Sequence, residues 1–256
     1  MSLTQIVNIA GQGLECVRIG ADRPGPTLVF LHEGLGSVAL WRDFPQRVAD
    51  AMALPALTYS RAGYGRSTGL RAARAPRYMH DEALVTLPAL LDALGIVEPI
   101  LIGHSDGASI ALIHAGAKAR PVRALVAMAP HVFVEDLSIA GIEQARHAYE
   151  STDLRAKLGR YHADADSAFR GWNDIWLSPA FRDWNIESFL PGVACPLLLI
   201  QGRDDEYGTL AQLDAIERQV SGHVESVVLA DCRHSPHRDQ AQTTLGAIVG
   251  FVSTLR

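Results

Sequence analysis

Short, largely apolar runs recur along this 256-residue chain, and helix-spaced apolar stripes lie between most of them. Thr27-Leu28-Val29-Phe30-Leu31 is the first, followed by Ala56–Tyr59, Ile100–Ile102, Ala124–Met128, Leu197–Ile200 and Val224–Leu229. Continuous rather than alternating hydrophobicity marks strands covered on both faces. Residues 5–9 and 14–19 flank Gly11-Gln12-Gly13 and predict an antiparallel hairpin. Ala83, Leu84, Leu87, Leu90, Leu91 and Leu94 fall at helical spacing, with Gly95 as a stop and Pro88 as an internal kink. Leu210 to Val220 and Thr243 to Val252 predict two more amphipathic helices.

Strands alternating with helices call for a mainly parallel sheet flanked by helices, with right-handed crossovers. The alternation stops from about Val134 to Leu190. No strand-like run occurs there, whereas Phe169, Trp172, Trp176, Phe181, Trp184 and Phe189 cluster. The expected organisation is an α/β core of residues 1–133 and 191–256, interrupted by a helical insertion at 134–190.

Composition removes several function classes. A net charge of −5 argues against general affinity for nucleic acid. No run of about 18 apolar residues predicts a membrane span, and the opening residues carry no basic stretch followed by an apolar one, so no secretory leader is expected. Cys16, Cys195 and Cys232 are odd in number and lack metal-ligand spacing. They read as reduced thiols of a cytoplasmic protein, with neither a metal nor a cofactor expected. The expected partner is a small-molecule substrate, with self-association left open.

One segment carries chemistry. Gly103-His104-Ser105-Asp106-Gly107 follows the run Ile100–Ile102 and precedes the small-residue stretch Ala108-Ser109-Ile110-Ala111. Strand, sharp turn and helix are the context in which G-x-S-x-G displays a nucleophilic serine. The glycines remove Cβ atoms that would clash in the turn, and the helix begins where negative charge would develop on a substrate oxygen.

With this motif, four further segments resemble the α/β-hydrolase superfamily, among esterases, enol-lactonases and C–C bond hydrolases with a short cap. Leu31-His32-Glu33-Gly34-Leu35-Gly36-Ser37 resembles the H-G-x-G oxyanion loop, with Glu33 where glycine is usual. The resemblance implies backbone N–H donors from Gly34 and Asp106, or from Leu35 in place of Gly34 if the loop carries one extra residue. Tyr59-Ser60-Arg61-Ala62-Gly63-Tyr64-Gly65-Arg66-Ser67 is similar to the D-x-R-G-x-G-x-S loop, departing at Ser60 and Ala62, and is expected to be structural. Gln201-Gly202-Arg203-Asp204-Asp205 places the triad acid on Asp205, with Asp204 and then Glu206 as alternatives. Asp231-Cys232-Arg233-His234 places the base on His234, with His237 as the alternative. The order Ser105, Asp205, His234 is the order of this fold, while His32, His104 and His131 are expected to be structural.

The resemblance therefore implies an α/β-hydrolase fold with a small helical cap, and a serine hydrolase of a carboxylic ester, lactone or thioester. The aromatic insertion suggests an apolar or aromatic acid. Alternatives are an acyl-CoA thioesterase holding CoA phosphates on Arg61, Arg66, Arg71, Arg74 and Arg77, a C–C hydrolase of ring-cleavage products, and a non-catalytic ligand receptor.

Overall fold

In the computed structural model, which describes residues 2–255, the apolar runs form one eight-stranded sheet. The strands are β1 (Ser2–Ile9), β2 (Gln12–Ile19), β3 (Leu28–Leu31), β4 (Ala56–Tyr59), β5 (Ile100–His104), β6 (Ala124–Met128), β7 (Leu197–Gly202) and β8 (Val224–Leu229). Their spatial order is β1-β2-β4-β3-β5-β6-β7-β8. The pairs from β4 to β8 are parallel, and β1 and β2 add an antiparallel hairpin at one edge. The hairpin turn sits at Ala10-Gly11, one position before the glycine-centred turn expected from the sequence. Both residues have positive φ, 49° and 78°, as a two-residue type I′ turn requires.

Every residue of β3, β4, β5, β6 and β7 is buried. β8 departs from the expectation of full cover: as an edge strand it leaves Glu225, Ser226 and Val228 exposed. The period-two alternation of strand side chains splits the core into two layers. Leu28, Phe30, Ile100, Ile102, Val126 and Ile200 pack on one face, against α1 (Phe44–Met52) and α10 (Ala241–Ser253). Val29, Leu31, Leu101, Leu125, Ala127 and Leu199 pack on the other. That second layer takes in α2 (Tyr78–Asp81), α3 (Leu87–Ala93), α4 (Asp106–Gly116) and α8 (Ala211–Gln219).

The helix expected around Pro88 is interrupted. Residues Glu82–Thr86 form a π-helical turn and α3 restarts at Leu87, with Pro88 in its first turn. Proline has no N–H to donate, and a first-turn position does not require one.

Between β6 and β7 the chain forms α5 (Asp136–Ser151), α6 (Leu154–Leu158) and α7 (Ala165–Trp176), then two 3-10 turns. Phe181 stacks on Trp184 at 5.3 Å and meets Trp176 edge-on at 4.9 Å, while Tyr149 stacks on Phe169 at 3.8 Å. These rings join the layer beneath α4 rather than forming an isolated core. A short helix α9 (Pro236–Asp239) follows β8. Among the described residues no helix is long and apolar enough to cross a membrane.

The β5–α4 turn is one of the tight backbone approaches in the core. A Cβ on Gly107 would strike the backbone of Leu31 and His32, whereas one on Gly246 in α10 would meet open space. Gly107→Ala is therefore expected to cost about 2 kcal/mol, or roughly 4–8 °C in Tm. Gly246→Ala should instead stabilise by about 0.5–1 kcal/mol. Thermal unfolding followed by circular dichroism checks both signs, and equal effects would contradict the packing described.

Candidate active site

Ser105 sits between β5 and α4 with φ 53° and ψ −120°. That conformation is strained for a side-chain-bearing residue, at a cost of about 1–3 kcal/mol, and persists only where the surroundings enforce it. Here Ser105 N–H donates to the Met128 carbonyl at 2.9 Å, fixing the turn to the end of β6. A Cβ on Gly103 would collide with Gly107 and Ala108 backbone, and one on Gly107 with Leu31. Neither glycine has positive φ. They are needed for space, and the serine carries the torsional strain.

The loops after β7 and β8 meet at this turn. A Cβ on Gly202 would strike the Cys232 and Arg233 carbonyls, so the missing side chain allows the two loops to touch. His234 Nε2 lies 2.9 Å from Ser105 Oγ, and His234 Nδ1 lies 2.8 and 3.0 Å from the two Asp205 oxygens. The Asp205 carboxylate also accepts from the Tyr207 N–H at 2.9 Å, the Gly208 N–H at 3.2 Å and Gln201 Nε2 at 3.3 Å. Ser105 and Asp205 are 7% and 8% exposed, so the chain is sheltered, with Ser105 bordering the cavity.

The alternatives from sequence lie elsewhere. Asp204 engages the Cys232 carbonyl through its backbone N–H. Glu206 accepts from the His234 N–H at 3.1 Å and pairs with Arg233, so it holds the backbone of His234 rather than its ring. His237 is buried against Trp41, Phe44 and His104. His104 donates from Nε2 to the His234 carbonyl at 2.7 Å and fixes it from behind.

The electrostatics favour a charged acid and a basic imidazole. Burial alone would raise the Asp205 carboxyl, but the adjacent His234 and its hydrogen bond bring it below the ordinary range. Burial alone would lower His234, and Asp205 outweighs it, with Glu206 and Glu33 adding to the rise. His131, whose ring lies 5.7 Å from that of His234, is pushed down to about 3 by burial and by His234, and is neutral.

The 32–36 loop is held by its carbonyls. The Arg61 guanidinium donates to the carbonyls of His32 and, at 3.0 Å, Glu33. His32 Nε2 accepts from the Arg61 N–H at 3.0 Å, so its proton is on Nδ1, which donates to the Glu33 carbonyl at 2.7 Å. His162 likewise accepts from Gly65 N–H on Nδ1 and donates from Nε2 to the Leu35 carbonyl, each at 3.0 Å. Gly34 and Leu35 then border the cavity in front of Ser105. Asp106 is the first residue of α4, where a backbone N–H has no intrahelical acceptor.

That cavity is about 100 Å³ and is lined by Leu35, His131, Ile142, Trp172, Trp176 and Tyr207, among others. A Cβ on Gly34 would collide with the Trp172 indole, so Trp172 rests directly on the loop. His131, Tyr207, Ile142 and His162 are the residues the sequence reading missed as site components. The position of His131 just past the C-terminal end of β6 was the available signal, because sites of parallel α/β sheets gather there.

The alpha/beta hydrolase family model matches residues 28–247. The chain belongs to that family. A stretch of 89 residues is 35% identical to "Putative carbamate hydrolase RutD" of Caulobacter segnis, covering 34% of this chain and 32% of that protein, so the match spans about a third of the relative's length. Among solved structures, VinJ superposes with a TM-score of 0.79 over 99% of both chains at 21% identity. The enol-lactonase from Burkholderia xenovorans LB400 superposes with a TM-score of 0.75 over 97% of this chain and 100% of that one, at 18% identity. At such identities the superpositions speak to fold alone.

A base works only in its neutral form, so with His234 as the base its raised pKa would set the acid limb of hydrolysis. Hydrolytic kcat/KM should rise with pH through an apparent pKa above 6.5 and be lost as pH falls through it. Glu206→Gln removes one of the charges that hold the imidazolium and should move that limb to lower pH. A limb that stays put in Glu206→Gln would contradict this electrostatic account.

Proposed function

We propose that this protein is a serine hydrolase that cleaves carboxylic esters or thioesters of short acyl groups through an acyl-enzyme. The Ser105–His234–Asp205 hydrogen-bond chain carries the reading, because it supplies nucleophile, base and orienting acid in the geometry acyl transfer needs. Ser105 Oγ attacks the carbonyl carbon while its proton passes to His234 Nε2. The resulting imidazolium is stabilised by Asp205. Negative charge on the former carbonyl oxygen is met by backbone N–H groups of Asp106 and of Gly34 or Leu35, beside the N-terminus of α4. Collapse expels the alkoxide or thiolate, which takes the proton from His234. Water then attacks the acyl-enzyme, with His234 again accepting the proton, and Ser105 is released.

The helical segment between β6 and β7 acts in this reading as a cap that sets acyl size. The cavity of about 100 Å³ is smaller than the roughly 150 Å³ void that accepts benzene. This volume favours a small acyl group over the aromatic acid suggested by the sequence, with Trp172 and Trp176 occupying part of the acyl space. The volume suits an acyl chain of about two to four carbons. Trp172 is the residue that sets the limit, since its indole closes onto Gly34.

Ser105→Ala should lower kcat for p-nitrophenyl acetate by roughly 10⁴-fold with the fold retained. A fluorophosphonate should label the wild type once, at Ser105, and leave the variant unlabelled; labelling at Ser109 or Ser235 would overturn the assignment. His234→Ala should remove most activity and His237→Ala should not. In an ester series, the wild type should prefer acetate to butyrate esters over benzoate, and Trp172→Ala should reverse that preference by at least about tenfold, the scale of losing one large apolar contact. Benzoate preferred by the wild type would show that the cap opens.

A further inference from the structure

The five arginines between residues 61 and 77 do not form the single phosphate cluster their density suggests. Arg61 is buried beneath the 32–36 loop, and Arg77 pairs with Asp81 at 2.8 Å. Arg66 does not border the groove in which the remaining two meet a third arginine. The 70–74 loop and the outer side of α7 bound an open groove of about 470 Å³, into which Arg71, Arg74 and Arg170 all contribute. Its other walls include the small residues Ala72, Ala73, Ser167, Gly171 and Ser178, which let a ligand approach the guanidinium groups closely.

Arg74 is preset. Its guanidinium lies 4.9 Å from the centre of the Tyr64 ring and 5.0 Å from that of Tyr78, and donates to the Ala62 carbonyl at 3.1 Å. Arg71 donates to the Gly11 carbonyl at 2.7 Å. Among the described residues, none of the three is in an ion pair. The acids nearby are taken: Asp174 pairs with Arg146 at 3.2 Å, and Asp166 pairs with Arg155. Three cations from two separate segments, two of them held against rings and carbonyls rather than carboxylates, leave a concentrated positive field in a protein of net charge −5.

We propose that this groove binds a phosphate-bearing group, and that its source is the nucleotide end of an acyl-CoA whose thioester is cleaved at Ser105. Guanidinium forks bind phosphate oxygens bidentately and keep their charge. The assignment of the source rests on the serine-hydrolase reading above. The geometry links the two sites through one element: α7 presents Trp172 and Trp176 to the cavity at Ser105, and Gly171, Asp174 and Ile175 to the groove. A helix with its side chains is about 10–12 Å across, so an extended thioester arm would run around α7 to join the two.

Binding is measured without turnover, by calorimetry of adenosine 3′,5′-bisphosphate with the wild type at low ionic strength. The expected result is saturable binding that weakens at least tenfold in Arg71→Gln/Arg170→Gln and weakens in 0.3 M salt, where exposed ion pairs are screened. No binding at millimolar bisphosphate, or equal affinity in the double variant, would overturn the site. Turnover of p-nitrophenyl acetate should be unchanged in the variant, which verifies its fold; if it is not folded, Arg71→Gln alone replaces it.

The source is decided by kinetics. Acetyl-CoA should exceed S-acetyl-N-acetylcysteamine in kcat/KM by at least tenfold, and the variant should erase that ratio. Bisphosphate binding with a ratio near one would keep the anion site and assign it to a free phosphorylated small molecule, overturning the CoA source. Failure of Ser105 to hydrolyse any ester would strike the functional reading while leaving the calorimetric result intact.

Discussion

The buried guanidinium of Arg61 is the contact on which the geometry around Ser105 depends. It lies 3.7 Å from Asp106, both side chains being almost fully buried, and it grips the carbonyls of His32 and Glu33. Two of the three segments that surround the serine are thus tied to one cation: the loop after β3 and the first residue of α4. Breaking such a pair from one side costs about 3–5 kcal/mol, because the remaining charge is left buried without a partner. The arrangement continues upward. Tyr78 donates to Asp106 at 2.7 Å, and Trp176 donates to the Tyr78 oxygen at 3.0 Å, so the helix that roofs the cavity is joined to the same network. Within the loop the Gly36 N–H is already donated to the Glu33 carbonyl at 3.0 Å, so in the proposed reaction it is Gly34 and Leu35, bordering the cavity, that would meet developing charge without reorganisation.

A second constraint governs the imidazole. His234 is held at its ring by Asp205, at its N–H by Glu206 and at its carbonyl by His104. Glu33 lies on the far side of His104, 3.5 Å from its Nδ1, and pairs with Arg238 at 3.3 Å. Burial alone would raise the Glu33 carboxyl, but His104 and Arg238 hold it well below the usual range. It therefore adds negative charge near His234. The acid that touches the ring sets its orientation, while the more distant acids only raise its affinity for a proton.

The core of the sheet was legible because β3 to β7 are buried on both faces, which runs such as Leu197–Ile200 announce. The turn at Ser105 and the loops bearing Asp205 and His234 were legible for a different reason: each lies immediately past a strand, so topology alone carries them to one edge. What the sequence hid is contact between distant segments. Nothing local marks His162 as the donor to Leu35, because it comes from the helical segment and lies 127 residues away. Nor does local patterning separate Trp172, which borders the cavity, from Trp184, which packs on Phe181. The arginine run misled for the same reason. Density along the chain is not density in space, and Arg170 enters the groove from another element altogether.

The departures from the family pattern show the same rule working in favour of the fold. Ser60 stands where the D-x-R-G loop has an acid, yet the carboxylate is not lost. Glu15 on β2, buried and adjacent because β2 pairs with β4, accepts from Ser60 Oγ at 2.8 Å and from the Arg66 N–H at 3.0 Å. Ser60 Oγ in turn accepts from the Val38 N–H at 2.9 Å, which ties the end of the 32–36 loop to the Arg61 loop. Gly65 is fixed by the same contact: its φ is 56°, and a Cβ there would collide with Ser60 and Glu15. The charge has moved from one strand to its neighbour while the position it serves has not. Glu33 follows the same logic, since an acid replacing a loop glycine is matched by Arg238 from α9, beyond the histidine loop. A motif read as a string counts these as mismatches; read as a set of charges and donors around Arg61 and Ser105, each replaced acid or glycine has a partner.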